Sequence, residues 1–256
     1  MPHVNISDTQ MLEIEVRKMT HPTPETLEKL AQVSTATLTT SLFRRGFRNV
    51  FIQGPQRINP GRNMVGPAYT LRYIPSREDL DRLDSFADRD NPQRKGVEEC
   101  PHGAVFVIDS REDATAASAG CILATRLQVR GCNGIVTDGG FRDTPEIAEL
   151  DMPAYHTRPS APTNLTKHHA VAINQPIACG GIAVFPGDIM VGDNEGVVCI
   201  PLHLAEEVAN ETTEMTVFED YVLEMVQQGA SIFGLYPPTD PQTMQNFQAW
   251  RQLNNR

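Results

Sequence analysis

The sequence predicts an α/β fold, and three observations carry that prediction. Ala104–Asp109 (AVFVID) is a short, apolar, β-branched run of the kind that forms a buried strand, and Ile135–Asp138 is a second. Between them, Gly120–Arg130 places Ile122, Leu123 and Leu127 on one side of a helix that stops at Gly131. Further on, residues 151–201 alternate short apolar runs with Pro/Gly turns, and a long helical pattern follows over His203–Gln228. The expected architecture is a mixed sheet with flanking helices.

The elements follow in order. Residues 1–20 read as an extension that is helical or loosely packed. Thr23 before Pro24 is an N-cap followed by proline at the first helical position, so a helix is expected over Pro24–Leu30. A second helix, Thr35–Arg45, ends at Gly46. Val65–Ile74 has strand character, and the charged segment 76–96 reads as a loop plus a surface helix. Arg111–Ala117 is a loop, and Pro145–Leu150 a short helix after the second buried strand. Short strands are expected at residues 153–156, 177–179, 184–185, 188–191 and 197–200. His168-His169 falls in or near a helix start. In the long helix Leu204, Val208, Met215, Phe218, Val222 and Met225 recur at three- and four-residue steps, some after a skipped turn. Tyr236–Pro241 is an extended tail that a short helix closes.

Composition narrows the function. The chain has 256 residues, 40% apolar and 21% charged, enough for one sizeable core. A net charge of -10 without a Lys/Arg block argues against nucleic acid as a partner. Cys100, Cys121, Cys132, Cys179 and Cys199 are odd in number and widely spaced, which fits reduced cysteines in a cytoplasmic protein. No apolar run approaches membrane-spanning length, and residues 1–20 do not read as a signal peptide. There is no GxSxG, P-loop, HExxH or dinucleotide fingerprint.

Two segments carry candidate chemistry. After Ile135-Val136 the chain turns through Asp138-Gly139-Gly140 and delivers Arg142 beside Asp143. An Arg at a strand's carboxyl end can grip a carboxylate in two-pronged fashion, and an Asp can hold a divalent cation. The alternative is a pair of solvated loop charges. One βα step earlier, Gly120, Cys121, Ile122 and Leu123 open a helix, whose unpaired N–H groups and positive dipole end favour an anion. Both segments can open onto the same end of a sheet. Gly187-Asp188 and Gly192–Gly196 read as tight turns whose Asp and Asn serve the turn itself.

These residues, taken together, resemble the RraA-like family. The match is carried by Ala119–Thr125, Arg130-Gly131, Gly134–Gly139, Arg142-Asp143, Phe185–Asp188, Asp193–Val198 and Ile200-Pro201. Val33–Thr40 and Tyr155–Asn164 resemble a longer-chain branch. The family includes 4-hydroxy-4-methyl-2-oxoglutarate aldolases and the regulator of ribonuclease E activity A.

The resemblance implies a swivelling β/β/α domain over residues 23–230, flanked by an extension (1–22) and a C-terminal tail (231–256). It implies a homo-oligomer, a trimer or a dimer of trimers, with sites between subunits. It also implies a lyase, aldolase or decarboxylase, that acts on a small 2-oxo acid through an enolate stabilised by Mg²⁺ or Mn²⁺. In that scheme Asp143 is the metal ligand and Arg142 steadies the enolate oxygen. Gly120, Cys121, Ile122 and Leu123 cradle the substrate carboxylate. Glu219, or Glu214, of a neighbouring subunit completes the water shell. The aldolases carry an Asp where this chain has Cys121, so a replacement carboxylate would have to come from Asp109, Glu112 or Asp113, or the substrate differs, or activity has been lost. The alternative reading is a non-catalytic regulator of ribonuclease activity that binds protein.

Overall fold

The computed structural model describes residues 22–256, so the extension assigned to residues 1–22 lies outside it except for Pro22. The first two helices are set by their caps. Thr23 accepts from the Thr26 N–H at 3.1 Å and starts α1 (Pro24–Gln32); Ser34 accepts from the Thr37 N–H at 3.1 Å and starts α2 (Thr35–Arg44). Then come β1 (Gln56–Arg57), β2 (Met64–Pro75), a 3₁₀ turn at Leu83–Ala87, and α3 (Pro92–Glu99), capped by Asn91. The middle of the chain runs β3 (Val105–Asp109), β4 (Ala117–Ala119), α4 (Cys121–Val129), β5 (Gly134–Thr137), β6 (Gly140–Phe141), α5 (Thr144–Ala148), β7 (Ala154–His156) and β8 (Arg158–Pro159). It continues through β9 (His168–Ile173), β10 (Ile177–Cys179), β11 (Ile182–Val184), β12 (Ile189–Gly192) and β13 (Val197–Ile200). The long helix α6 (Ala205–Gln227) and α7 (Pro241–Leu253) close it.

The main sheet is curled and mixed, in the order β1-β7-β5-β3-β2-β12-β13, with β9 also paired to β2. Strands β2, β3, β5 and β7 run parallel; β1, β9, β12 and β13 join antiparallel. The central strand shows why its sequence is apolar throughout. Phe106 and Ile108 pack with Leu127, Phe141 and Ile147 under the helices, while Val105 and Val107 pack with Met64, Val136 and Tyr155 on the opposite face. A strand buried on both faces has no polar side to show. A third cluster seats α1, α2 and α6 on Ile189, Val191, Val198 and Ile200.

Two expectations change. His168-His169 opens strand β9, not a helix. Strand residues alternate faces, so His168 stacks on Tyr73 at 5.1 Å while the His169 Nδ1 meets Asp81 Oδ1 at 2.8 Å. The C-terminal tail ends, as expected, in a helix, the 13-residue α7, held on α6 by an aromatic cluster of Phe218, Tyr221, Phe247 and Trp250. The segment 76–96 is less peripheral than its charge implied, because α3 packs against α4 and β9. No helix among the described residues is long and apolar enough to cross a membrane.

Candidate functional site

Three of the main-sheet strands are each followed by a second, very short strand. After β3, β5 and β7 come β4, β6 and β8, which form their own three-stranded parallel sheet. Helix α4 starts as β4 ends, and Arg142-Asp143 follows as β6 ends. The Arg142 N–H donates to the Ala119 carbonyl at 3.1 Å, which ties the two exits together.

The turn that feeds β6 is braced from below. The buried Asp138 carboxylate accepts from the N–H groups of Ser110 at 2.6 Å, Glu112 at 3.1 Å and Gly180 at 3.2 Å. Burial nevertheless pushes its carboxyl up to about 6. The hydroxyls of Ser110, Ser118 and Thr137 bond one another at 2.6–3.0 Å, and a Cβ on Gly139 would lie 2.6 Å from the Ser110 Cβ.

Asp143 adopts a left-handed backbone (φ 56°, ψ 41°) at the start of α5, yet its side chain does not cap that helix. Such a conformation is unusual for a residue with a Cβ. It turns the carboxylate across to α4 instead. There Oδ2 accepts from the Cys121 N–H at 3.3 Å, while Oδ1 lies 3.5 Å from Arg142 Nε. Gly120 makes room for this approach. Its backbone is extended (φ -132°), so the glycine is required by space: a Cβ would sit 2.7 Å from Asp143 Oδ2 and 2.8 Å from Arg142 Cγ.

A cavity of about 230 Å³ opens over this meeting point. Gly120, Ile122, Leu123, Arg142 and Asp143 all line it, so the structure brings these five sequence-predicted residues together. Cys121 does not line the cavity; its thiol lies beside Asp143, and burial, with the Asp143 and Glu146 carboxylates, pushes it up. It is therefore a neutral thiol at neutral pH.

Phe86, Gln93, Arg94, Thr163 and Asn164 also line the cavity and escaped the sequence reading. The side-chain amide of Gln93 donates to Tyr73 Oη and to the Ser118 carbonyl, each at 2.8 Å, and pins the start of α3 beside β4. Arg94 follows it, with its guanidinium over the Phe86 ring at 4.5 Å. The sequence suggested a surface helix somewhere in residues 76–96, but neither its Asn91 cap nor the cavity it faces.

The other acidic candidates stand elsewhere. Asp109 accepts from the N–H groups of Arg111 at 2.9 Å and Ala178 at 3.4 Å, and burial pushes its carboxyl up. Asp113 accepts from the Thr115 N–H, and neither it, Asp109 nor Glu112 lines the cavity. Glu219 accepts from Thr37 Oγ1 at 2.7 Å and Tyr236 Oη at 3.4 Å; Glu214 holds Arg251 at 2.6 and 2.9 Å. Both line a different cavity, of about 510 Å³, beside α6 and α7. Within one chain they do not meet Arg142 and Asp143, and a role there requires a neighbouring subunit, as the resemblance implies.

The donor set suits a hard cation. Among the described residues no three His, Cys, Asp or Glu side chains converge, and Asp143 is the one carboxylate that lines this cavity. Mg²⁺ and Mn²⁺ keep several waters and commonly take one or two protein carboxylates plus substrate oxygens, whereas a closed thiolate or imidazole site is not on offer. The space that a Cβ on Gly120 would fill is what leaves the Asp143 carboxylate open to the cavity.

Comparison with known proteins agrees with this fold. A Halalkalibacterium halodurans protein provisionally named a 4-hydroxy-4-methyl-2-oxoglutarate aldolase is 34% identical over 151 residues, 59% of this chain and 66% of that one. Protein DlpA of Legionella pneumophila is 22% identical over 209 residues, 82% of this chain and 33% of its own length. The chain thus spans about two thirds of the first relative and one third of the second. The crystal structure of Streptomyces coelicolor RraAS2, described as an unusual member of the RNase ES inhibitor RraA protein family, superposes with a TM-score of 0.69 at 29% identity. It covers 79% of this chain and 98% of that one. An uncharacterized Pseudomonas syringae protein superposes with a TM-score of 0.75 at 23% identity, over 86% and 96% of the two chains. The family model described as RraA-like, Aldolase/RraA, matches residues 30–199, and the chain belongs to that family.

Proposed function

We propose that this protein is a divalent-metal-dependent carbon–carbon lyase, an aldolase or decarboxylase, acting on a small 2-oxo acid. The observation that carries the reading is the left-handed Asp143, which faces the start of α4 across Gly120 with Arg142 beside it in one cavity. A Mg²⁺ or Mn²⁺ ion held by Asp143 would supply Lewis-acid stabilisation of the charge that develops on the substrate's keto oxygen.

The chain's own residues do the rest. The α4 start presents its positive dipole end and the Ile122 N–H to the substrate carboxylate, the Leu123 N–H being given to the Gly120 carbonyl at 3.1 Å and the Cys121 N–H to Asp143 at 3.3 Å. Arg142, whose contact with Asp143 is a long 3.5 Å, can turn its guanidinium to the keto oxygen and neutralise it as the bond breaks. In an aldol cleavage the C3–C4 electron pair passes into the C2–C3 unit, the C4 hydroxyl loses its proton, and C3 later gains one. Cys121, whose thiol is pushed up by burial and by the neighbouring carboxylates, is a poor acceptor for that hydroxyl proton. Proton transfer then falls to solvent, and Glu219 or Glu214 of a neighbouring subunit would complete the water shell. The proposed assembly is accordingly a homo-oligomer, a trimer or a dimer of trimers.

The test is pyruvate release from 4-hydroxy-2-oxo acids, or decarboxylation of oxaloacetate, with Mg²⁺ or Mn²⁺ supplied. Turnover that disappears in Asp143→Ala and Arg142→Ala supports the reading; no turnover across a broad panel of such acids sinks it. The 29% identity to RraAS2 favours a second reading, a non-catalytic regulator of ribonuclease activity, which predicts capture of ribonuclease E instead.

A further inference from the structure

We propose that Gln93 and Asn164 form a subsite for one uncharged hydroxyl of the ligand, a hydroxyl that takes no part in bond cleavage. Both side chains are buried, at 3% and 7% exposure, and both line the cavity of about 230 Å³. Each amide is engaged at one end only. Gln93 Nε2 lies 2.8 Å from Tyr73 Oη and 2.8 Å from the Ser118 carbonyl oxygen. Tyr73 gives its own proton to that carbonyl, also at 2.8 Å, so only a donor can face the two oxygens and the orientation of the amide is fixed. Gln93 Oε1 then accepts from no group among the described residues. At Asn164 the roles reverse. Its Oδ1 accepts from Thr163 Oγ1 at 3.3 Å, and its Nδ2 donates to no group among the described residues. The side-chain atoms sealed there without a partner are the Nε atoms of Arg45, Arg94 and Arg130. Gln93 Oε1 and Asn164 Nδ2 are not sealed, and the space both residues border is the cavity. A free carbonyl and a free N–H in a buried wall cost free energy until a partner arrives.

The two amides flank one strand. Gln93 holds the Ser118 carbonyl, and the loop that leads to Asn164 holds the neighbouring residue, its Pro162 carbonyl accepting from the Ala117 N–H at 2.9 Å. Strand β4 runs from these two residues into Gly120, so the subsite shares a wall with the α4 start. Its chemistry is selective. A free carbonyl and a free N–H together suit a group that donates and accepts at once, which a hydroxyl does and a carboxylate, an acceptor only, does not. Neither amide can take up a proton near neutral pH. The hydroxyl they hold therefore keeps its proton, which sets it apart from the C4 hydroxyl that loses one in an aldol cleavage. This last step rests on the lyase reading for which carbons react. The substrate class is then a 2-oxo acid with a further hydroxyl beyond C4, on the fragment that departs: a hydroxylated, uncharged tail in place of a second acid group.

The probes are two oxamates, which carry the carboxylate and carbonyl of a 2-oxo acid and offer no bond to cleave. N-(2-hydroxyethyl)oxamate and N-ethyloxamate differ only by the hydroxyl. Calorimetry on the full chain in Mg²⁺ should show the hydroxylated probe binding roughly tenfold more tightly, as expected of two neutral hydrogen bonds. Asn164→Leu and Gln93→Met should each bring that ratio to within about threefold of unity. Lost packing alone would weaken both probes alike and leave the ratio where it was. Asn164→Leu carries the test if Gln93→Met, which gives up the Tyr73 and Ser118 anchor, does not fold. Equal or absent binding of the two probes by the wild type, the mark of a subsite that holds only water, overturns the proposal. So does a ratio that Asn164→Leu leaves untouched. The lyase reading is measured apart, by pyruvate release from 4,5-dihydroxy-2-oxopentanoate and 4-hydroxy-2-oxopentanoate, with glycolaldehyde or acetaldehyde as the other product. Turnover of neither ends that reading, and an oxamate preference lost in Asn164→Leu would still uphold the hydroxyl subsite. Equal kcat/KM for the two acids ends the proposal and leaves the lyase reading in place.

Discussion

Replacing Gly120 by alanine tests the site without touching a charged group. The backbone there is extended, so alanine brings no conformational strain, and its whole effect is steric. The new methyl would lie 2.7 Å from Asp143 Oδ2 and 2.8 Å from Arg142 Cγ, where ordinary contact begins at 3.4 Å. Both side chains must therefore retreat by about 0.6–0.7 Å, and a displacement approaching 1 Å at a reacting centre costs on the order of 10²-fold in rate. Overpacking of this kind destabilises by roughly 1–3 kcal/mol. The Asp143 side chain cannot simply swing away, because its left-handed backbone aims it at α4. The assay pairs urea denaturation with Mn²⁺ binding followed by paramagnetic resonance and with pyruvate release. A variant that is folded, loses up to about 3 kcal/mol and binds Mn²⁺ at least tenfold more weakly is expected. Unchanged Mn²⁺ affinity and unchanged stability would refute the close-approach argument.

Further predictions concern pH, packing and the metal. Burial holds His156 down at about 4, below its ordinary 6.5, so its contribution is full above pH 6.5 and is lost as pH falls toward 4; the size is about 3 kcal/mol. Asp138 is raised to about 6 from 3.8, so its protonation has the opposite sign: stability from this group is full below pH 3.8 and is lost as pH rises through 6, again by about 3 kcal/mol. The two oppose each other between pH 4 and 6. Urea melts at pH 7 and pH 5 should then show His156→Gln gaining relative stability at pH 5 and Asp138→Asn losing it; parallel profiles would count against both assignments. Asn59 is buried, donates to the carbonyls of Leu150 at 2.6 Å and Met152 at 2.8 Å, and accepts from the Ala154 N–H at 3.0 Å. Asn59→Leu leaves three backbone groups unpaired and should cost at least about 2 kcal/mol by denaturation. Phe247→Ala removes the ring that meets Phe218 edge-on at 5.2 Å, and limited trypsin digestion should then cut α7 before the sheet domain. Asp143→Asn should abolish Mn²⁺ binding with little change in thermal midpoint, since that carboxylate caps no helix of its own.

The legible part of the fold was the part with a period. β3, β5, α4 and α6 appeared within one or two residues of their expected ends, because burial on both faces, a helical stripe or a closing glycine leaves a pattern in the chain, although Ile122, expected on the same side of α4 as Leu127, is exposed. Strand β9 was hidden by its opening His168-His169, which pack by stacking and by pairing with Asp81, neither of which has a sequence period. β4, β6 and β8 were hidden by their length of two or three residues, too short for any alternation to register. The site split along the same line. Gly120–Leu123 and Arg142-Asp143 announced themselves by glycine punctuation and helix-start chemistry. Arg94 did not, since a charged residue on a surface-like helix looks the same whether it meets water or a cavity.

The small three-stranded sheet has a consequence for how this site tolerates change. β4 and β6 are hydrogen-bonded neighbours, so the α4 start and the Arg142-Asp143 pair are held apart by one inter-strand spacing, about 4.8 Å, a distance that belongs to the peptide backbone. No side chain in the core sets it. The chain can therefore exchange residues that line the cavity and keep the same two platforms in register. Chemistry can drift over such a frame by single substitutions, while the separation that any two-point ligand must match stays where the ladder put it.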